Sequence, residues 1–207
     1  MNHLVATYGY WAVILVTGLE AFGIPIPGET ILVAAGTYAG THPNTMSVWL
    51  IWLFAFIGVE VGSTLSFWVG VKGGYPLLKR YGRYIHMDEP QVKVGRYVFD
   101  RYGAPVVSAG RFVAVLRTYA AFLAGTNRMN PVKFQIFNLI GAFAWTGTWT
   151  LLSYYVGDSL KTASRTVDYV VAAVVVALVV AVIIFVRHHA KRLEEVAEAA
   201  YPGPLDA

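Results

Sequence analysis

The chain has 207 residues, of which 57% are hydrophobic and 14% are charged, and its formal net charge is +4. A soluble domain carries about 25% charged residues, so this composition, with a mean hydropathy of +0.54, indicates an integral membrane protein. The absence of cysteine excludes disulfides and thiolate catalysis.

The first unusual stretch comes early, at residues 20–40, where acids and prolines interrupt an apolar region that begins at Leu4. Proline removes a backbone donor and clashes with the preceding helical turn, and an acid at membrane depth costs roughly 2.5–3.5 kcal/mol. Broken backbone is tolerated there only where protein covers it or water reaches it. We therefore expect a re-entrant helical hairpin that lines a polar cavity. Its bend is assigned to Pro25, Pro27 and Gly28, and its acids are Glu20 and Glu29.

Residues 46–71 form the next predicted element, a full membrane span whose one charge is Glu60. Residues 104–125 are apolar again, but they hold Arg111 and Arg117 with no acid among them. On one straight helix these arginines would lie about 120° apart. A second re-entrant hairpin, interrupted near Gly110, would instead bring them together near its tip.

Two further spans are predicted at residues 131–156 and 167–186, followed by a tail at 191–207. Loops rich in Lys and Arg lie on the cytoplasmic side, which places residues 72–103 and the C-terminus there. That orientation is consistent only if the two hairpins enter from opposite faces. A weak sequence repeat agrees with it: AAG at 34–36 and FWVG ending at Gly70 correspond to LAG at 123–125 and YYVG ending at Gly157. The expected fold is thus an all-α membrane domain over residues 1–190, an inverted repeat of hairpin plus span with additional spanning helices.

The residues resemble the DedA family, whose domain is also called SNARE-associated or VTT. The resemblance covers about residues 20–157 and rests on E-x(4)-P-x-PGE from Glu20, on G-x3-G-x7-G from Gly58, and on R-F-x4-R-T from Arg111. It continues with Asn138, Gly141 and Trp145. Family members are associated with lipid transport, and the resemblance implies that Glu20, Glu29, Arg111 and Arg117 are the functional residues.

Two positions depart from the family pattern. Ala114 stands where many members have proline, so the second bend is expected to be looser or shifted toward Gly110. Ser63 stands where many members have an acid, and Glu60 points to another helix face, which weakens the case for proton coupling by this span. Glu60 and Asn138 are therefore taken as possible accessory residues.

The predicted function is a flippase for a phosphate-bearing lipid, either undecaprenyl phosphate or a phospholipid. Arg111 and Arg117 would bind the phosphate, because arginine presents a planar fork that grips phosphate oxygens. Glu20 and Glu29 would balance the charge or carry protons, although the four residues could equally form purely structural salt bridges.

A proton- or ion-coupled small-solute transporter that uses the same residues is the alternative. A membrane-embedded lipid phosphatase is the weakest of the three hypotheses, because the sequence has no nucleophile–base set and no metal-ligand spacing. We therefore expect no enzyme activity, no metal and no cofactor. The expected partners are membrane lipids with anionic headgroups and a second copy of the chain, not nucleic acid, and the expected location is a bacterial inner membrane.

Overall fold

Helices account for all regular secondary structure in the part of the chain that this computed structural model describes, residues 2–81, 89–162 and 199–200. The expectation of an all-helical fold is confirmed for these residues. The predicted span at 167–186 and most of the tail at 191–207 lie outside them. The elements up to residue 162 are α1 (Asn2–Phe22), α2 (Gly28–Thr41), α3 (Val48–Tyr81), α4 (Glu89–Tyr102), α5 (Pro105–Ala109), a 3-10 turn (Gly110–Phe112), α6 (Ala114–Thr126) and α7 (Pro131–Thr162).

Helix α3 contains a long apolar segment. Its segment Val48–Gly74 is long and apolar enough to cross a membrane, and it is the one segment of that kind within the described residues. Gly74, with φ 51° and ψ −155°, interrupts the helix at the end of this segment. The span predicted at 46–71 overlaps this segment. The span predicted at 131–156 lies within α7, which is long enough but not apolar enough to meet the same criterion.

The first bend lies between α1 and α2, where Gly23 has a φ of 121° and Pro25 and Pro27 follow. The start of the bend differs from the expectation of a hairpin over residues 20–40. Helix α1 continues without a break to Phe22, so Glu20 ends a long helix and does not begin a separate short arm. The physical reason is that residues 20–22 contain no helix breaker, and the first residue that departs from helical geometry is Gly23.

The second bend corrects an expectation, because Gly110 does not form it. Gly110 keeps helical angles, φ −59° and ψ −22°, and the chain turns extended at Val113, with φ −109° and ψ 115°. A β-branched residue favours extended backbone, so Val113 separates the 3-10 turn from α6. Gly110 instead packs near Leu116 and Ala120.

Glycines allow the helices to approach one another closely. A Cβ atom on Gly58 or Gly62 of α3 would collide with the backbone of α1. In the same way, Gly36 of α2 lies against the backbone of α7 at Thr150, and Gly125 of α6 lies against the backbone of α3 at Phe67. Each short helix that follows a bend therefore packs on the long helix from the other half of the chain.

Two hydrophobic cores form where these helices pack against one another. The first surrounds Phe67 of α3 and Phe134 of α7, whose rings stack with their centroids 4.2 Å apart. The second surrounds Val13, Leu32 and Trp145 from three different helices.

Candidate functional site

Arg117 of α6 joins the two sides of the first bend. Its Nη2 atom lies 2.6 Å from Oε1 of Glu20, near the end of α1, and donates to Oε2 of Glu29, in the first turn of α2, at 2.7 Å. Its Nη1 atom also pairs with Oε1 of Glu29. One guanidinium therefore bridges two carboxylates that the bend brings together, and we call these three residues the Arg117 cluster.

Several neighbours hold the Arg117 cluster in place. The side chain of Glu20 is 4% exposed, that of Arg117 is 13% exposed and that of Glu29 is 27% exposed. The carboxylate of Glu20 lies against Gly28, where a Cβ atom would overlap it, at the N-terminal end of α2 that favours negative charge. Arg117 also stacks over the ring of Trp145, 5.2 Å from its centroid. The cluster is largely buried, and it carries two carboxylates for one guanidinium.

Arg111 lies in the 3-10 turn and is buried in a different set of partners. Its Nη2 atom donates to Oγ of Ser63 on α3 at 2.8 Å and to Oδ1 of Asn138 on α7. Its Nε atom has no hydrogen-bond partner among the described residues. Ser63 and Asn138, its hydrogen-bond partners among the described residues, are neutral, and Glu60 and Glu20 interact with Arg111 electrostatically.

Glu60 is attached to Arg111 through Asn138. Oε2 of Glu60 accepts from Nδ2 of Asn138 at 2.9 Å and from Nε2 of Gln135 at 2.6 Å. Thr64 in turn donates to Oε1 of Gln135 at 3.2 Å. Asn138 is fully buried, whereas Glu60 is partly buried and its Oε1 atom has no partner in the described part of the chain. We call Arg111, Ser63, Asn138, Glu60 and Gln135 the Arg111 cluster.

The predicted site residues thus divide into two groups by their direct contacts, one around Arg117 and one around Arg111. Within the part of the chain that the structure describes, Glu20 and Glu29 form their salt bridges with Arg117. Arg111, in the 3-10 turn, and Arg117, in α6, lie on either side of the extended residue Val113, and Glu20 interacts electrostatically with both.

Glu60 and Asn138, expected only as accessory residues, contact the Arg111 network directly. Sequence reasoning did not identify Gln135 or the contact of Ser63 with Arg111. Glu60 and Ser63 are three residues apart on α3, as Gln135 and Asn138 are on α7. Residues at that spacing are neighbours on a helix surface, so this signal could have found both.

A search of protein families matches residues 26–155 to the VTT domain. This chain belongs to the DedA/VTT domain family. An uncharacterized membrane protein of Synechocystis is 37% identical over 157 residues, which cover 76% of this chain and 71% of that protein. An uncharacterized membrane protein of Mycobacterium tuberculosis is 32% identical over 196 residues, 93% of this chain and 89% of that protein.

The protein DedA of Escherichia coli is 27% identical over 164 residues, which cover 76% of this chain and 74% of DedA. No solved structure matches the chain significantly. The relatives are named membrane proteins, in agreement with the membrane location that the composition indicates.

On the outer surface of this VTT-domain protein, a groove of about 400 Å³ runs between α3 and α7. Phe67, Trp68 and Leu139 are among its apolar lining residues, and Thr64 and Gln135 are its polar ones. Because Gln135 also donates to Glu60, the Arg111 cluster borders this groove. Both charged clusters lie within or next to the matched domain, since Glu20 is the one member outside residues 26–155.

Proposed function

We propose that this protein is a membrane transporter, and not an enzyme, that moves a phosphate-bearing lipid across the bilayer. Undecaprenyl phosphate and phospholipids are the two candidate lipid classes. The observation that carries the proposal is the environment of Arg111, a buried guanidinium whose hydrogen-bond partners among the described residues are the neutral side chains of Ser63 and Asn138. A buried cation with neutral partners and a free donor is suited to accept an anion.

The chemistry of the two guanidinium groups supports this assignment. A guanidinium binds phosphate oxygens through charge-assisted, bidentate hydrogen bonds. In Arg111 the Nε atom has no partner within the described chain. Arg117 would add a second positive charge, but only when Glu20 or Glu29 releases it. The two carboxylates would balance the charge of Arg117 in the empty protein, and they provide one route to proton coupling.

The architecture supports transport at the middle of the bilayer. The helices that follow the two bends, α2 and α6, pack on the long helices of the opposite halves, α7 and α3 respectively. This reciprocal packing is consistent with an inverted repeat of re-entrant hairpins, a fold in which transporters place substrates where broken helices meet near the midplane. The headgroup would bind between the hairpins while the acyl or prenyl chain remains in the hydrocarbon. We further propose a bacterial inner-membrane location, a cytoplasmic C-terminus and a possible homo-oligomer.

One observation favours a second candidate, a proton- or ion-coupled transporter of small solutes. The Arg117 cluster holds two carboxylates for one guanidinium, so it has spare capacity for a proton or a cation. In this case the substrate would be enclosed and would need no opening toward lipid. A pH-sensitive dye inside vesicles detects this activity, whereas a labelled lipid detects the first.

The decisive experiment reconstitutes the wild type and Arg111→Gln into vesicles that carry a fluorescent phosphate lipid in one leaflet. Arg111→Gln removes the charge and the terminal donors of the guanidinium but keeps a polar side chain at this position. We expect transport to be abolished while the protein stays folded. Arg101→Gln, which changes an exposed arginine at the end of α4, is the matched control and should transport normally. Full transport by Arg111→Gln would reject the assigned role of Arg111.

A further inference from the structure

Of the carboxylates in the two clusters, Glu60 is the one that the proposed phosphate grip does not use. It lies on α3, away from the first bend, and it is joined to Arg111 by a single side chain, Asn138. The amide of Asn138 is fully buried and uses both ends, because its Nδ2 atom donates to Glu60 and its Oδ1 atom accepts from Arg111. This arrangement connects the carboxylate to the guanidinium without direct contact.

A buried arginine needs a counter-charge, because an uncompensated charge inside a protein is strongly destabilising. Glu20 is engaged directly by Arg117, so it is the weaker candidate for this role at Arg111. Glu60 meets Asn138 and Gln135, both neutral, and its Oε1 atom has no hydrogen-bond partner among the described residues. Its negative charge is therefore available to Arg111, because its hydrogen bonds within the described part of the chain go to neutral groups.

Because Glu60 acts at one remove, it does not occupy the donors that an anion would use. A carboxylate in direct contact would compete with the anion for the same hydrogen bonds. A carboxylate behind Asn138 balances the charge of the empty site, and its repulsion favours release of an anion that has bound. Loading and release of a substrate both require this balance.

We infer that Glu60 is the counter-charge of Arg111 when no substrate is bound, and that an anionic phosphate group takes over this role when it binds. Glu60 acts on Arg111 through Asn138 and is therefore a positioning residue. The inference rests on the proposed function and adds a residue to it. The consequence is a coupling between the two negative charges: the charge of Glu60 weakens the binding of phosphate, so removal of that charge should raise the affinity for phosphate.

The first test is Glu60→Gln, which removes the charge and preserves the shape and the hydrogen-bonding capacity. Without phosphate, the variant should unfold at a lower temperature than the wild type, and inorganic phosphate should restore it more strongly than it stabilises the wild type. In vesicles with a fluorescent phosphate lipid, both KM and kcat should fall, by about fivefold or more, because the anion binds more tightly and leaves more slowly. A purely structural loss would not lower KM.

The second test returns the charge from a neighbouring position. Ser63 lies three residues after Glu60, and its Oγ atom is already 2.8 Å from Nη2 of Arg111. In the Glu60→Gln background, Ser63→Asp should recover the stability measured without phosphate and raise KM at least to the wild-type value. Arg101→Gln, which removes a charge at an exposed position outside both clusters, is the control and should leave KM unchanged.

The inference is overturned if folded Glu60→Gln has an unchanged or raised KM, or if phosphate stabilises it no more than the wild type. Failure of Ser63→Asp to recover stability in a folded variant also contradicts it. If wild-type vesicles move no phosphate lipid, the proposed function fails. The phosphate-free stability of Glu60→Gln, with and without Ser63→Asp, then decides the counter-charge role by itself.

Discussion

The Arg117 cluster gives the sharpest prediction about stability, because it holds three charges of which two are well buried. We consider Arg117→Gln alone and together with Glu20→Gln. The single variant leaves Glu20, whose side chain is 4% exposed, without its cation, and it leaves Glu29, which is 27% exposed, without its partner. Water can solvate Glu29 in part, but it has little access to Glu20.

The magnitude follows from this difference in burial. Removal of one partner from a buried ion pair costs about 3–5 kcal/mol, because the remaining charge is uncompensated. An exposed pair is worth about 0–1 kcal/mol, so most of the cost of Arg117→Gln belongs to Glu20. For a chain of this size, the expected fall in Tm is roughly 6–20 °C. Adding Glu20→Gln removes the uncompensated charge, and the double variant should therefore be more stable than the single one.

Thermal unfolding of the purified protein in detergent micelles, followed by tryptophan fluorescence, measures the effect. Arg101→Gln at an exposed position is the matched control and should leave Tm unchanged. A combination of Arg117→Gln with Glu29→Gln tests the role of burial, and it should recover less stability than the combination with Glu20→Gln. The reasoning is refuted if Glu20→Gln does not raise the Tm of Arg117→Gln.

Two glycine substitutions test the close contacts around the site. Gly28→Ala should lower the free energy of unfolding by about 1–3 kcal/mol, because the new methyl group displaces the carboxylate of Glu20. In a Glu20→Ala background the same substitution should cost far less stability. Equal costs in the two backgrounds, measured by thermal unfolding, would contradict this contact. Gly125→Ala should destabilise by a similar amount, because its Cβ atom would meet the backbone of Phe67. Gly9→Ala faces the flexible end of Met46 and should be neutral or stabilise the protein by about 0.5–1 kcal/mol. The melting temperatures of the two variants check this difference, and an equal response would show that α6 and α3 are not in close contact.

Much of the helical framework could be predicted from residue order alone. The apolar run before Val71 produces a long helix wherever it is placed, because its side chains leave water and its backbone groups pair internally. The prolines at 25 and 27 similarly break the helix in any context. The position of the second bend was less predictable. Gly110 permits a break but does not require one, and it stays helical because the surrounding packing accommodates a helical turn there.

The partners of the charges could not be read from the sequence. Glu20, Glu29, Arg111 and Arg117 were identified as a set, but their pairing depends on which helices meet. Arg111 contacts residues of α3 and α7, which are far from it in the sequence. The choice of Ser63 and Asn138 over the acids of the first bend results from the packing of α5 and the 3-10 turn against α7, where Gly141 lies against Ser108.

The sequence by itself determined that this protein is a helical member of a membrane family, with acids near one break and arginines near another. Composition and local backbone preferences act over a few residues, and they need no tertiary contact. Only the tertiary structure decided that Arg117 bridges the two sides of the first bend and that Arg111 is linked to Glu60 through Asn138. Those pairings depend on how closely glycine-lined helices from the two halves approach each other, which residue order does not specify.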